Sequence, residues 1–142
     1  MAGMGKVQDN PKAAESVAED WERSLFHLFG KGDAMQVQAL DEPRSVDGRA
    51  RAAALVRSDK VRDWVLLFDA DGRLAGMEYQ GEGPGGVAKI TELYAEWASE
   101  GDVQVPRASK VLMDGQPFME SKVKSLKVNG AVGGEVFAKP AP

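Results

Sequence analysis

The chain has 142 residues, 43% of them hydrophobic and 28% charged, with a formal net charge of −4. A chain of this length buries about 68–70% of the surface its unfolded form exposes, and this composition excludes disorder as the general state. It contains no cysteine, which excludes disulfides, thiolate metal sites and cysteine nucleophiles together.

The charge is unevenly spread. Residues 103–142 hold six basic and three acidic side chains, a net of +3, which leaves −7 for residues 1–102. A basic face for an anionic partner would produce that asymmetry, but so would lysines that keep a sheet face wet, and the second reading is preferred. Nucleic acid is disfavoured as a partner because no aromatic residues interleave with these lysines to stack bases. No apolar run is long enough to span a bilayer, so no transmembrane segment is expected. The opening MAGMGKVQDN has no apolar core and is not expected to act as a signal peptide. Residues 1–9 are expected to be disordered, and residues 10–140 to form a single α+β domain.

In chain order, the first element is a helix over 10–29. Asn10 is a good N-cap, and Pro11 suits the first helical position, where its missing amide has no partner to lose. Ala14, Val17, Ala18, Trp21, Leu25, Leu28 and Phe29 recur at steps of three and four, forming one apolar stripe. Lys12, Glu15, Glu19, Glu22 and Arg23 carry the opposite face, and Gly30 with Gly32 supplies a stop. Such a helix is expected to lie on a sheet through Trp21, Leu25 and Leu28.

Beyond Gly32 the period changes to two. Met35, Val37 and Ala39 alternate with glutamines, and Ala50, Ala52, Ala54 and Val56 alternate after the turn at Asp47-Gly48. Residues 62–69, RDWVLLFD, read as a strand buried on both faces at its centre. Turns at Asp69–Gly72 and Asp114-Gly115 separate further strands, and three such turns argue for an antiparallel meander. Residues 87–98 are ambiguous. Val87, Ile90, Leu93, Tyr94 and Trp97 fit a helix face slightly better; as a strand, Ile90, Tyr94 and Ala98 share one face and Leu93 and Trp97 the other.

No constellation in the sequence carries chemistry. Gly81, Gly83 and Gly86 match the dinucleotide spacing, yet Pro84 stiffens the loop and hairpins surround it, so a mobile glycine loop is the better reading. Asp69-Ala70-Asp71-Gly72 begins like a calcium loop and fails at Arg73. His27 is the only histidine and sits near a helix end, where its imidazole caps or packs. Glu92 and Glu96 would share a face in either secondary structure, but no partner group makes them an acid–base pair. Catalytic residues, metal ligands and cofactors are therefore all expected to be absent, and the chain is read as a non-enzyme.

The C-terminal third carries a family resemblance. Leu93-Tyr94, Gly101-x-Val103-Gln104-Val105-Pro106, Leu112-Met113-Asp114-Gly115, Val123, Val128-Asn129 and Val136-Phe137-x-x-Pro140 together resemble the closing strands of the lipoprotein-sorting-like fold of Gram-negative envelopes. Similar domains are appended to insulinase-like zinc peptidase homologues. The resemblance implies a curved antiparallel sheet, an incomplete half-barrel, covered by the N-terminal amphipathic helix, with residues 87–98 as strand. It also implies a periplasmic or cell-envelope location and a lipophilic ligand, such as a lipoprotein acyl chain. Relative to that pattern the chain begins near the middle helices, so an open sheet edge is expected; the zinc-peptidase signature is lacking, and that activity does not carry over. The function expected is a non-catalytic binding module with an apolar slot between helix and sheet, lined by Trp21, Leu25, Trp64, Leu66, Tyr79 and Tyr94. The alternative is an accessory domain that docks on a peptidase-like protein partner or self-associates as a homodimer through its open edge.

Overall fold

The computed structural model describes residues 11–31, 35–128 and 130–138. Two helices, α1 (Pro11–Arg23) and α2 (Leu25–Lys31), precede eight strands: β1 (Gln36–Ala39), β2 (Arg44–Val46), β3 (Arg49–Arg57), β4 (Trp64–Phe68), β5 (Leu74–Gly83), β6 (Gly86–Glu100), β7 (Val103–Met113) and β8 (Gln116–Lys122). All pairings are antiparallel, in the order β1-β3-β4-β5-β6-β7-β8, with β2 pairing β3 off that path. The fold is α+β, as expected, and the sheet is open rather than closed into a barrel.

The turns follow from local chemistry. Asp47-Gly48 and Asp114-Gly115 both take positive φ at both positions, the signature of the tight turn that matches the twist of paired strands. At the β4–β5 turn the Asp69 carboxylate accepts the amides of Asp71 and Arg73, so it serves the backbone. The glycine-rich stretch is a tight hairpin: β5 and β6 stay paired out to Gly83 and Gly86, so Pro84 and Gly85 alone make the turn. No helix follows it, which removes the dinucleotide context.

Residues 87–98 lie within β6, which pairs with β5 and β7 along its length. One departure from the simple strand reading occurs at Glu96, whose φ is +55° and which the ladder skips between Ala95↔Ala108 and Trp97↔Pro106. The register is the same on both sides of Glu96, so no residue is inserted there, and the rings of Tyr94 and Trp97 meet edge-to-face at 6.1 Å.

Each sheet face carries its own core. Leu28, Met35, Val56, Trp64, Leu66 and Met77 pack on the helix side, with Leu25, Tyr79 and Tyr94 against them. On the other side Val46 folds over Ala53, Leu67, Leu93 and Leu112, with Leu40 and Val65 beside it. Trp64, Leu66 and Leu67 are buried, so β4 is apolar on both faces, as its sequence predicts.

The helical segment departs from expectation in two ways. It breaks at Ser24, whose hydroxyl accepts the His27 amide, so the single 10–29 helix becomes two. Asn10 and Gly32 lie outside the described residues, and Gly30 falls inside α2. Only the later part of the predicted stripe enters the core: Leu28 is buried and Leu25 half-buried, whereas Val17 and Trp21 are 67% and 58% exposed. The sheet-packing role expected of Trp21 is overturned. Likewise β1 is exposed throughout, so Val37 and Ala39 face solvent at a sheet edge.

Candidate functional site

The orientation of α1 follows from polar anchors at its C-terminal end. Glu22 is buried: its carboxylate accepts the Ser58 hydroxyl at 2.9 Å, faces His27 Nε2 at 3.3 Å and pairs with Lys60 at 3.6 Å. Arg23, also buried, pairs with Glu19 and Asp20 on its own helix and lays its guanidinium over the Tyr79 ring at 4.4 Å from the centroid. These contacts hold the polar side of α1 toward the sheet. Ala14, Val17, Ala18 and Trp21 face outward, the reverse of what an amphipathic helix on a sheet is expected to do.

Between that polar helix face and strands β5–β8 lies a groove of about 470 Å³, within the range of roughly 300–1,000 Å³ typical of small-molecule sites. Its helix wall is Lys12, Glu15, Ser16, Glu19, Asp20 and Arg23, and its apolar floor is Ile90, Val111, Met113, Phe118 and Met119. The floor is a consequence of register. Ile90 stands opposite Met113, Glu92 opposite Val111, and Val111 opposite Met119, so these side chains share one face. Phe118 is bulged out of the β7–β8 ladder and, with Met119, is more than half exposed.

At the inner end of the floor, Glu92 receives both tyrosines. Tyr79 donates to Oε1 at 2.7 Å and Tyr94 to Oε2 at 3.1 Å. Burial, and then the Glu92 charge, push both phenols well above their usual range, so both stay protonated and act as donors. Glu96, the other member of the acidic pair, is exposed and pairs with Lys122 at 3.2 Å. The two carboxylates therefore have separate partners.

Of the six expected slot residues, Tyr79 alone lines this groove. Trp64 and Leu66 are sealed in the helix-side core, Leu25 and Tyr94 pack against that core, and Trp21 stands outside with its ring against His27 at 5.7 Å. The space expected between helix and sheet is filled by the protein's own side chains, and the open groove lies farther out, under α1. Sequence reasoning missed the floor residues Val111, Met113 and Met119 because only strand pairing places them together. The Tyr94–Glu92 contact follows once the segment is a strand, since i and i+2 share a face, but Tyr79 reaches Glu92 only through the β5–β6 register. His27, expected to cap or pack near the helix end, is buried against Glu22, a contact no local pattern announces.

Among the described residues, no group of three or more His, Cys, Asp or Glu is placed to hold a metal ion, and no helix is long and apolar enough to cross a membrane. No protein-family model, curated protein or solved structure matches this chain.

Proposed function

We propose that this chain is a non-catalytic binding module whose ligand is an elongated amphipathic molecule held in the groove under α1. The observation that carries this reading is the contrast between the two sides of the groove: an apolar floor of Ile90, Val111, Met113 and Met119 beneath a charged helix wall. A ligand with an apolar stem and a polar end matches both at once. A cell-envelope setting and an acyl chain as the stem come from the family resemblance and agree with this shape.

The charges narrow the polar end. Five carboxylates (Glu15, Glu19, Asp20, Glu82, Glu92) and three cations (Lys12, Arg23, Arg62) line the groove, and Arg23 is already paired within its helix. That excess disfavours an anionic head and favours a neutral or cationic one, as an esterified or amidated acyl chain presents. Titration with fluorescent acyl probes of differing head group tests this. Saturable binding of a neutral-head probe, weaker binding of the free fatty acid, and loss of binding in Met113→Glu are the expected results. Absence of saturable binding by every probe would rule out the groove as a lipophilic site. The accessory-domain reading has its own support in the wholly exposed edge strand β8.

A further inference from the structure

We propose that β8 is a self-pairing edge: two copies of this chain join their β8 strands antiparallel about a two-fold axis through Ser121, making one continuous sheet. This inference is independent of the groove ligand. Among the described residues β8 pairs only with β7, and every residue from Gln116 to Lys122 is exposed. Such a strand presents unpaired amides and carbonyls to any strand that fits.

The backbone geometry says which groups are on offer. The Val123 amide donates to the Arg107 carbonyl at 2.8 Å, so this residue points its backbone at β7. By the alternation of an antiparallel ladder, Ser121 and Met119 also point inward, and Glu120 and Lys122 point outward. Pro117, which lacks an amide, and the bulge at Phe118 blunt the first half of the edge. Pairing is thus confined to residues 119–123.

Symmetry then selects one register. A two-fold axis perpendicular to the sheet keeps each face on its own side, so opposed residues must share a face and the axis must pass through a residue position. Through Glu120 it sets glutamate against glutamate, and through Lys122 lysine against lysine. Through Met119 it sets Phe118 against Glu120 and runs Pro117 into the new ladder. Through Ser121 it sets Glu120 opposite Lys122 twice, and these are the two residues whose backbone groups face outward. The same register puts Met119, 52% exposed, opposite Val123, 42% exposed, on the groove face. Charge, hydrogen bonding and apolar contact agree on this register alone.

Sedimentation velocity over a range of concentrations is the test. The wild-type chain should shift from monomer to dimer as concentration rises. Glu120→Lys and Lys122→Glu each place like charges opposite one another twice and should remain monomeric while keeping native circular dichroism. The double variant Glu120→Lys/Lys122→Glu restores the complementary pair and should dimerise again. An equimolar mixture of the two single variants should form a heterodimer. Cross-linking reads the register independently. Two Ser121→Cys copies would oppose their cysteines in a pair with Cα atoms about 4.5 Å apart, inside the span of a disulfide, in a chain with no other cysteine. Met119→Cys copies would be separated by four residues of strand, about 13 Å, and should not cross-link. A chain that stays monomeric throughout, single variants that dimerise like wild type, or Met119→Cys cross-linking as readily as Ser121→Cys would each overturn the proposal.

Discussion

Tyr79 and Tyr94, fifteen residues apart in sequence, donate their hydroxyls to the two oxygens of one carboxylate, that of Glu92. The pair couples β5 to β6 at the inner end of the groove, and it is the whole tyrosine content of the chain. Phenolate absorbance therefore reports on this site alone. Burial and the Glu92 charge raise both phenols above their ordinary 10.0. The folded protein then keeps these protons after the unfolded chain has lost them. The stabilisation is fully present below pH 10.0 and declines as the pH climbs through and beyond that value. In alkaline titration the native protein should resist phenolate formation where the urea-unfolded chain ionises normally. Native phenolate at the ordinary pH would show that the hydroxyls are not held as described. Tyr79→Phe should cost about 1.5 kcal/mol, the lower end for a bond to a charged acceptor, since Tyr94 still serves Glu92.

Gly76 sits against this site from below. A Cβ there would collide with the Glu92 backbone carbonyl, in the adjoining strand. Backbone cannot yield as a flexible side chain does, so Gly76→Ala should destabilise by about 1–3 kcal/mol through forced separation of β5 and β6. Urea denaturation measures it. A neutral result would mean that the two strands stand farther apart.

The helices should respond unequally to truncation. Leu28→Ala removes a buried member of the helix-side core and should cost about 2–5 kcal/mol, whereas Trp21→Ala, at an exposed position, should change stability by about 0.5 kcal/mol. Glu22→Ala strands the buried His27 and the Ser58 hydroxyl and should cost about 1–3 kcal/mol. A Trp21 effect as large as that of Leu28 would show that the outward stripe of α1 is covered in solution.

Treatment with a chelator should leave the thermal midpoint unchanged. Asp69 spends its Oδ1 on the amides of Asp71 and Arg73, which is the work of a turn. A clear drop would point to a cation at Asp69 and Asp71.

What the amino-acid order determined by itself was local. Asp47-Gly48 and Asp114-Gly115 specify tight turns because their backbone conformation depends on a few neighbouring atoms, and the apolar run at Trp64–Phe68 specifies a strand with two buried faces. Residues 87–98 satisfied both periods, and pairing with β5 and β7 decided for strand, with a single β6–β7 register maintained past the positive φ of Glu96. The apolar stripe of α1 was equally legible, but its direction was not. A stripe states only that a helix has two unlike faces. Which face turns inward was decided by Glu22 reaching Ser58, Lys60 and His27, and by Arg23 lying on Tyr79, long-range contacts that leave no periodic trace. The groove has the same origin: its floor is written across β6, β7 and β8 in residues that become neighbours only through strand register.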